Sequence, residues 1–245
     1  MFDFDGTLGM VRAGWMPLML DMMMETLAEL GPDPAALRDE AEEYVARLTG
    51  QDTYFQMAAF ADHVRRLGGA ARSGEEYKAE FMGRLEGWRQ ERLEGLRSGS
   101  IAPDELMIPG SGAILEALTA SGVGVYLASG SNHDDIVMES RLLGIHDYFI
   151  SIHGSAPGQP SKRELLQQLV DSGIPPEEIL TFGDGRTEIE ETARIGGVAV
   201  GVASDEPDCA TVDPKKRRWL IDAGAHYIIP NYLEPDLMEL VGGSL

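Results

Sequence analysis

Residues 179–202 read ILTFGDGRTEIEETARIGGVAVGV. An apolar run, Ile179–Phe182, breaks at Gly183-Asp184-Gly185. A helix-length segment follows over 186–195, and Gly196-Gly197 leads into a second apolar run, Val198–Val202. Short continuous apolar runs joined by a helix mark strands buried on both faces. A right-handed crossover then sets the two strands parallel in one sheet.

The same alternation extends both ways. Upstream, the sequence predicts a helix over 111–121, a buried strand over Val123–Ala128, a helix over 132–143, a weaker strand near Phe149–Ile152 and a helix over 161–172. Downstream it predicts a helix over 214–224, a strand over Tyr227–Ile229 and a helix over 235–241. Met1–Phe4 reads as the tail of one more strand. With only Met1 and Phe2 ahead of Asp3, that strand is expected to be shortened by a misassigned start or a trimmed chain. The expected fold class is α/β: a doubly wound, Rossmann-like parallel sheet covered by helices on both faces.

Residues 10–106 have another character. Apolar side chains recur three and four apart, as in Met16, Met19, Leu20, Met23, Met24 and Leu27. Breaks fall at Gly31-Pro32, Thr49-Gly50 and Gly68-Gly69. About four helices and no strand are expected. The α/β part is therefore expected to comprise residues 1–9 and 107–245, interrupted by a helical insert over 10–106. The methionine stripe reads as packing, not as a soft-metal site.

Composition removes several classes of function. The 245 residues carry 41 acids against 20 Lys and Arg, a net charge of −21. Such a chain is a poor partner for nucleic acid or an anionic membrane, both polyanions. The basic run Lys215-Lys216-Arg217-Arg218, next to Trp219 and Leu220, reads as a solvated helix face. No apolar stretch is long enough to span a membrane, and the N-terminus does not read as a signal peptide, so a cytoplasmic location is expected. The single cysteine, Cys209, excludes an internal disulfide and a cysteine-cluster metal site. No glycine-rich nucleotide-loop motif is present.

In open parallel sheets, ligands bind at the carboxyl ends of the strands. Asp3, Asp5, Gly6 and Thr7 follow the first apolar run, and Ser129, Gly130 and Ser131 follow the second. Gly183, Asp184, Gly185 and Glu188 follow the run at 179–182. Converging carboxylates repel one another, so a cation is implied. An all-oxygen donor set without His or Cys suits Mg²⁺ better than Zn²⁺.

Asp3-Phe4-Asp5-Gly6-Thr7 resembles the first motif of the haloacid dehalogenase superfamily, in its phosphatase branch. Ser129, Lys162 and Gly183-Asp184-Gly185-Arg186-Thr187-Glu188 resemble the second, third and fourth motifs, in order, along most of the chain. The helical insert is placed like that superfamily's cap. The resemblance implies Asp3 as nucleophile forming an aspartyl-phosphate and Asp5 as general acid, then base. It implies Ser129, Gly130 and Thr7 around the phosphate, Lys162 as charge partner, and Mg²⁺ held by Asp3, Asp184 and Asp5 through its backbone carbonyl. The acid at Asp5 implies phosphate-ester chemistry, because a halide leaving group needs no proton. Glu188 departs from the usual Asp, and its role stands between a water-mediated metal contact and orienting Lys162. Arg163 competes with Lys162.

The expected activity is hydrolysis of a small phosphorylated metabolite, such as a sugar phosphate or phosphoglycolate. The alternatives are a phosphomutase resembling β-phosphoglucomutase and a non-catalytic module on the same fold. The turn Leu48–Thr53 is open between a specificity loop and a simple cap by Asp52. Asn132 and His133 are open between substrate contact and capping.

Overall fold

The computed structural model describes residues 1–28, 30, 34–48, 52–206, 208–234 and 237. Its sheet is assembled around Phe2. The Phe2 N–H donates to Tyr126 O at 2.8 Å, and the Phe2 carbonyl accepts from Ala128 N–H at 2.9 Å. On the other edge, Asp3 N–H donates to Phe182 O at 2.9 Å, and Met1 O accepts from Phe182 N–H at 3.0 Å. Phe2 thus bridges in parallel to Leu127 and to Phe182.

Beside Leu127 lie β1 (Tyr126–Asn132) and its parallel neighbour β2 (Ser151–Ser155). Beside Phe182 lie β3 (Leu180–Gly183), β4 (Val198–Val202) and β5 (Tyr227–Ile229), also parallel. The stretch 179–202 is the βαβ unit its sequence describes, with β3 and β4 in register from Leu180↔Val198 to Gly183↔Gly201.

Side chains alternate between two cores, as the period of two in a strand requires. Phe2, Leu127, Phe182, Val200 and Val202 share one cluster with Ile114 and Leu115 of α5 (Ser111–Ala120) and Ile136 of α6 (His133–Leu142). Met1 and Ala128 face α7 (Lys162–Asp171), and Ala199 faces α8 (Arg186–Ile195) and α9 (Pro214–Asp222). Helices on both faces make the sheet doubly wound, as expected. The Phe2 and Phe182 rings stack at 4.6 Å, and Tyr232 packs edge-on to Phe182 at 5.6 Å.

Several boundaries differ from the sequence expectation. β1 starts at Tyr126, not Val123, because Val123 N–H still closes the end of α5 on Leu118 O. It runs on past Ala128 to Asn132 through an irregular register, so Ser129–Ser131 belong to the strand end. β2 starts at Ser151 because Phe149 N–H closes a 3-10 turn on His146 O. The N-terminal segment pairs as a bridge at Phe2 and not as a longer strand, because the N–H groups of Thr7, Leu8 and Gly9 all fold back on Phe4 O. The helix expected over 235–241 and the residues Thr49–Gln51 lie outside the described residues, apart from Leu237.

The four helices expected in the insert are α1 (Trp15–Leu27), α2 (Pro34–Arg47), α3 (Thr53–Arg66) and α4 (Gly74–Ser98). They enclose their own apolar cluster, where Met19, Met22, Met23, Met57, Phe60 and Tyr77 are buried. A Ser73–Glu76 capping box starts α4.

Phe2→Ala removes the central ring while leaving the backbone pairing available. We expect a loss of about 3–5 kcal/mol in unfolding free energy, measured by urea denaturation.

Candidate active site

Asp3 is the first residue past the central bridge, and the chain turns at once. Phe4 N–H donates to Asp3 Oδ1 at 2.8 Å. Gly6 takes φ +69°, and a Cβ there would lie 2.2 Å from Asp184 Oδ2, so the position requires glycine. Thr7 Oγ1 accepts from Asp184 N–H at 3.0 Å, and Tyr232 OH donates to Thr7 O at 3.0 Å. These contacts lock the loop after Phe2 to the loop after β3.

Lys162 enters from α7. A Ser161–Glu164 capping box fixes the start of that helix and puts Lys162 at its first position. The buried Nζ lies 2.9 Å from Asp3 Oδ2 and 2.7 Å from Glu188 Oε2. Glu188, in the first turn of α8, hooks back so that Oε1 accepts from Gly185 N–H at 2.7 Å. Both of its oxygens are thus engaged, and the geometry puts Glu188 on Lys162. Arg163 is instead 64% exposed along its side chain and pairs with Glu191.

Charge at this cluster is unbalanced. Oxygens of Asp3, Asp184 and Glu188 lie within 4.8 Å of one another. Burial pushes the Asp3 carboxyl well above its ordinary range, and Lys162 only partly offsets this. Burial also lifts Asp184 to about 7, against the pull of Lys216 at 3.8 Å. Burial works against ionisation of Glu188 too, but Lys162 and the Gly185 N–H outweigh it and hold the carboxyl below its usual range. Lys162 itself is desolvated, yet Asp3 and Glu188 hold it more firmly protonated than usual. Three buried carboxylates facing one committed ammonium fit a hard divalent cation.

Asp5 is held apart from this cluster. Arg12 Nη1 donates to Asp5 Oδ1 at 3.0 Å and Ser131 Oγ donates to Asp5 Oδ2 at 2.6 Å. Arg12 also forks onto Glu139, at 2.6 and 2.9 Å. Glu139 is fully buried and accepts in turn from Arg89 Nε of α4 at 2.7 Å. Arg89 reaches Glu86 and Asp135 as well. A chain of alternating charge therefore runs from Asp5 to the helical layer.

A cavity of about 300 Å³ opens over these groups. Asp3, Asp5, Ser129, Gly130, Lys162 and Asp184 line one side, and Asp52, Gln56, Lys78 and Met82 line the other. Thr7 is fully buried and does not line it; its hydroxyl serves the Asp184 loop. Ser129 Oγ accepts from Ser131 N–H at 3.1 Å and is on the lining. Asn132 caps α6, and it also lines the cavity. Asp52 caps α3 at Tyr54 N–H and takes Lys78 at 2.7 Å. His133 accepts from Gly154 N–H through Nδ1.

Sequence reasoning missed Arg12, Glu139 and Lys216, and placed Ser131 at the strand end without a role. Arg12 and Lys216 carry no motif, and Lys216 was placed on a solvated face. The structure turns it inward, with its side chain 14% exposed and 2.8 Å from Glu206. Glu139 had a legible signal: it follows Ile136 by three on the buried stripe of α6, where an acid needs a partner.

A doubly wound α/β sheet thus gathers carboxylates and a buried lysine at its carboxyl edge, the edge where such sheets bind ligands. The model of the haloacid dehalogenase-like hydrolase family matches residues 1–196, and the chain belongs to that family. No curated protein matches the sequence. Solved structures resemble it along nearly all of their length. A protein described as a predicted phosphoglycolate phosphatase from Haemophilus somnus is 17% identical with a TM-score of 0.59, over 98% of this chain and 96% of that one. A β-phosphoglucomutase from Clostridium difficile is 14% identical with a TM-score of 0.59, over 99% and 96%. A haloacid dehalogenase-like family protein from Streptococcus pneumoniae is 19% identical with a TM-score of 0.57, over 95% and 93%. At these identities the likeness speaks for the fold. Among the described residues, no helix is long and apolar enough to cross a membrane.

Glu139→Leu removes the buried carboxylate that Arg12 and Arg89 share, leaving Asp5 as partner of Arg12 and Glu86 and Asp135 as partners of Arg89. We expect a loss of about 3–5 kcal/mol, read as a lowered midpoint in thermal or urea unfolding.

Proposed function

We propose that the chain hydrolyses a small phosphate monoester through an aspartyl-phosphate, with Mg²⁺ as cofactor. The observation that carries this reading is the placement of Asp3. It is a buried carboxylate clasped by Lys162, beside Asp184, with a second carboxylate two residues on, held by its own partners. Residues 1–9 and 107–245 form the catalytic core in this reading, and 10–106 form a cap over the cavity.

The Asp3 carboxylate attacks phosphorus, and the ester P–O bond breaks. Asp5 gives its proton to the departing alkoxide. As a carboxylate it then takes a proton from the water that attacks the aspartyl-phosphate, which releases inorganic phosphate and restores Asp3. Arg12 and Ser131 keep Asp5 turned toward that work. Lys162 neutralises charge on Asp3 and on the phosphoryl oxygens, and Glu188 keeps Lys162 in place. Ser129 and Gly130 receive the phosphoryl oxygens on the opposite strand end. Asp3, Asp184 and the backbone carbonyl of Asp5 would hold Mg²⁺, which supplies further neutralisation of phosphoryl charge when bound. Together these cations make the local field at the site favourable to an anionic substrate despite the −21 net charge of the chain.

A mutase would share the same first step and return the phosphoryl group to a sugar. The structural relatives include both kinds of protein, so the products of the reaction decide. The test is a panel of phosphate monoesters assayed for phosphate release with and without Mg²⁺. We expect release only with Mg²⁺, none from Asp3→Asn, and a fall on the order of 10²–10⁴-fold in kcat for Asp5→Asn. Isomerised sugar phosphate without phosphate release would assign a mutase. Metal binding with no turnover of any ester would assign a non-catalytic module.

A further inference from the structure

A second cavity of about 420 Å³ shares Asp184 and Trp15 with the first. Its lining includes all three tryptophans of the chain, Trp15, Trp88 and Trp219, brought from α1, α4 and α9. These residues are far apart in sequence, and no motif unites them. The wall that seats them is built closely. Gly14 has φ +85°, and a Cβ there would lie 2.5 Å from the Trp88 ring. The Arg92 guanidinium sits 5.6 Å from the Trp88 ring and donates to the carbonyls of Val11 and Ala13. Gly14 N–H donates to Glu206 Oε2 at 3.1 Å, and Lys216 Nζ donates to Glu206 Oε1 at 2.8 Å.

The cavity therefore pairs indole surface with a few fixed polar groups, Glu206, Lys216 and Asp184 among them. A purely aliphatic occupant would strip water from those charges and return no hydrogen bond. A free phosphate would leave the indole faces unmatched. A planar ring with polar edges meets both demands: its face packs on indole, and a ring N–H or ring nitrogen meets the charged groups. The volume suits a small molecule.

We infer that this cavity binds a planar nitrogen-containing aromatic ring. Resting on the hydrolase reading, that ring belongs to the leaving group of the phosphate ester. The substrate class then narrows to phosphate esters of heteroaromatic alcohols or nucleosides, with the phosphoryl group at Asp3 and the ring beyond Asp184.

Intrinsic fluorescence tests this directly, because every tryptophan lines the cavity. The full chain is titrated with adenosine and with pyridoxine, which have a ring and no phosphate, and with ribose 5-phosphate, which has a phosphate and no ring. Free tryptophan amide controls for absorption by the probes. We expect saturable quenching by at least one ring compound that persists when ribose 5-phosphate, which meets only Trp15 in the first cavity, is present in excess. Trp88→Leu or Trp219→Leu, whichever folds as judged by circular dichroism, should weaken that binding at least tenfold. The same variant should lower the ratio of kcat/KM for adenosine 5′-monophosphate or pyridoxine 5′-phosphate, matching the bound ring, to that for ribose 5-phosphate at least tenfold. Silence from both ring compounds overturns the ring site, as does binding that both variants leave unchanged, and either result leaves hydrolysis of ribose 5-phosphate standing. Ring binding without hydrolysis of any ester retains the site and overturns the hydrolase reading.

Discussion

Everything at the candidate site depends on the backbone of one residue. Phe2 is hydrogen-bonded on both edges, to Tyr126 and Ala128 on one side and through its neighbours to Phe182 on the other. A parallel strand paired on both sides has no freedom to slide, because a shift by one residue would exchange its two faces. Phe2 would leave its stack on Phe182, and Met1 would leave the α7 face. Asp3 consequently leaves the sheet at a fixed height between β1 and β3. The end of β1 that carries Ser129 and the loop that carries Asp184 are set by the same pairing. Gly6 and Thr7 then tie the first loop to Asp184 without any ligand.

Electrostatics divides the site into two parts with different requirements. Asp3, Asp184 and Glu188 are crowded together, Lys162 is shared by Asp3 and Glu188, and Lys216 stands 3.8 Å from Asp184. That part is short of positive charge. Asp5 is the reverse: Arg12 faces it directly, and Arg12 is itself balanced by Glu139 and, through it, by Arg89. Two carboxylates only two residues apart thereby have different partners, Lys162 for Asp3 and Arg12 with Ser131 for Asp5. The charge chain also makes the contact between α4 and α6 ionic where an apolar seam would be expected, and this gives the helical layer a direct line to Asp5.

The sequence carried the fold through its apolar runs and the site through their ends. Asp3, Asp5, Ser129 and Asp184 could be singled out because each follows an apolar run, at the edge where such sheets bind ligands, whereas Lys162 came only from the family resemblance. The strand limits at Val123 and Phe149 were not legible, since an apolar residue that closes a helix or a turn looks the same as one that opens a strand. Arg12 and Lys216 were hidden for a different reason. Long basic side chains are read as solvated by default, and only the three-dimensional placement of Glu139, Asp184 and Glu206 turns them inward. The tryptophan cavity was invisible because it joins α1, α4 and α9, which share no local pattern.

The central position of Phe2 also sets an order of assembly. During synthesis the segment around Phe2 leaves the ribosome long before Tyr126 or Phe182 has been made, and it cannot pair until both have emerged. The helices α1 to α4 draw their cluster from one continuous stretch and need no later residue for it. Helical packing can therefore precede sheet closure, and Phe2, Phe4 and Leu8 must wait with their apolar surfaces uncovered. Exposed apolar segments of that kind are what chaperones hold, so production of this chain should depend on them most strongly in the interval before β3 appears.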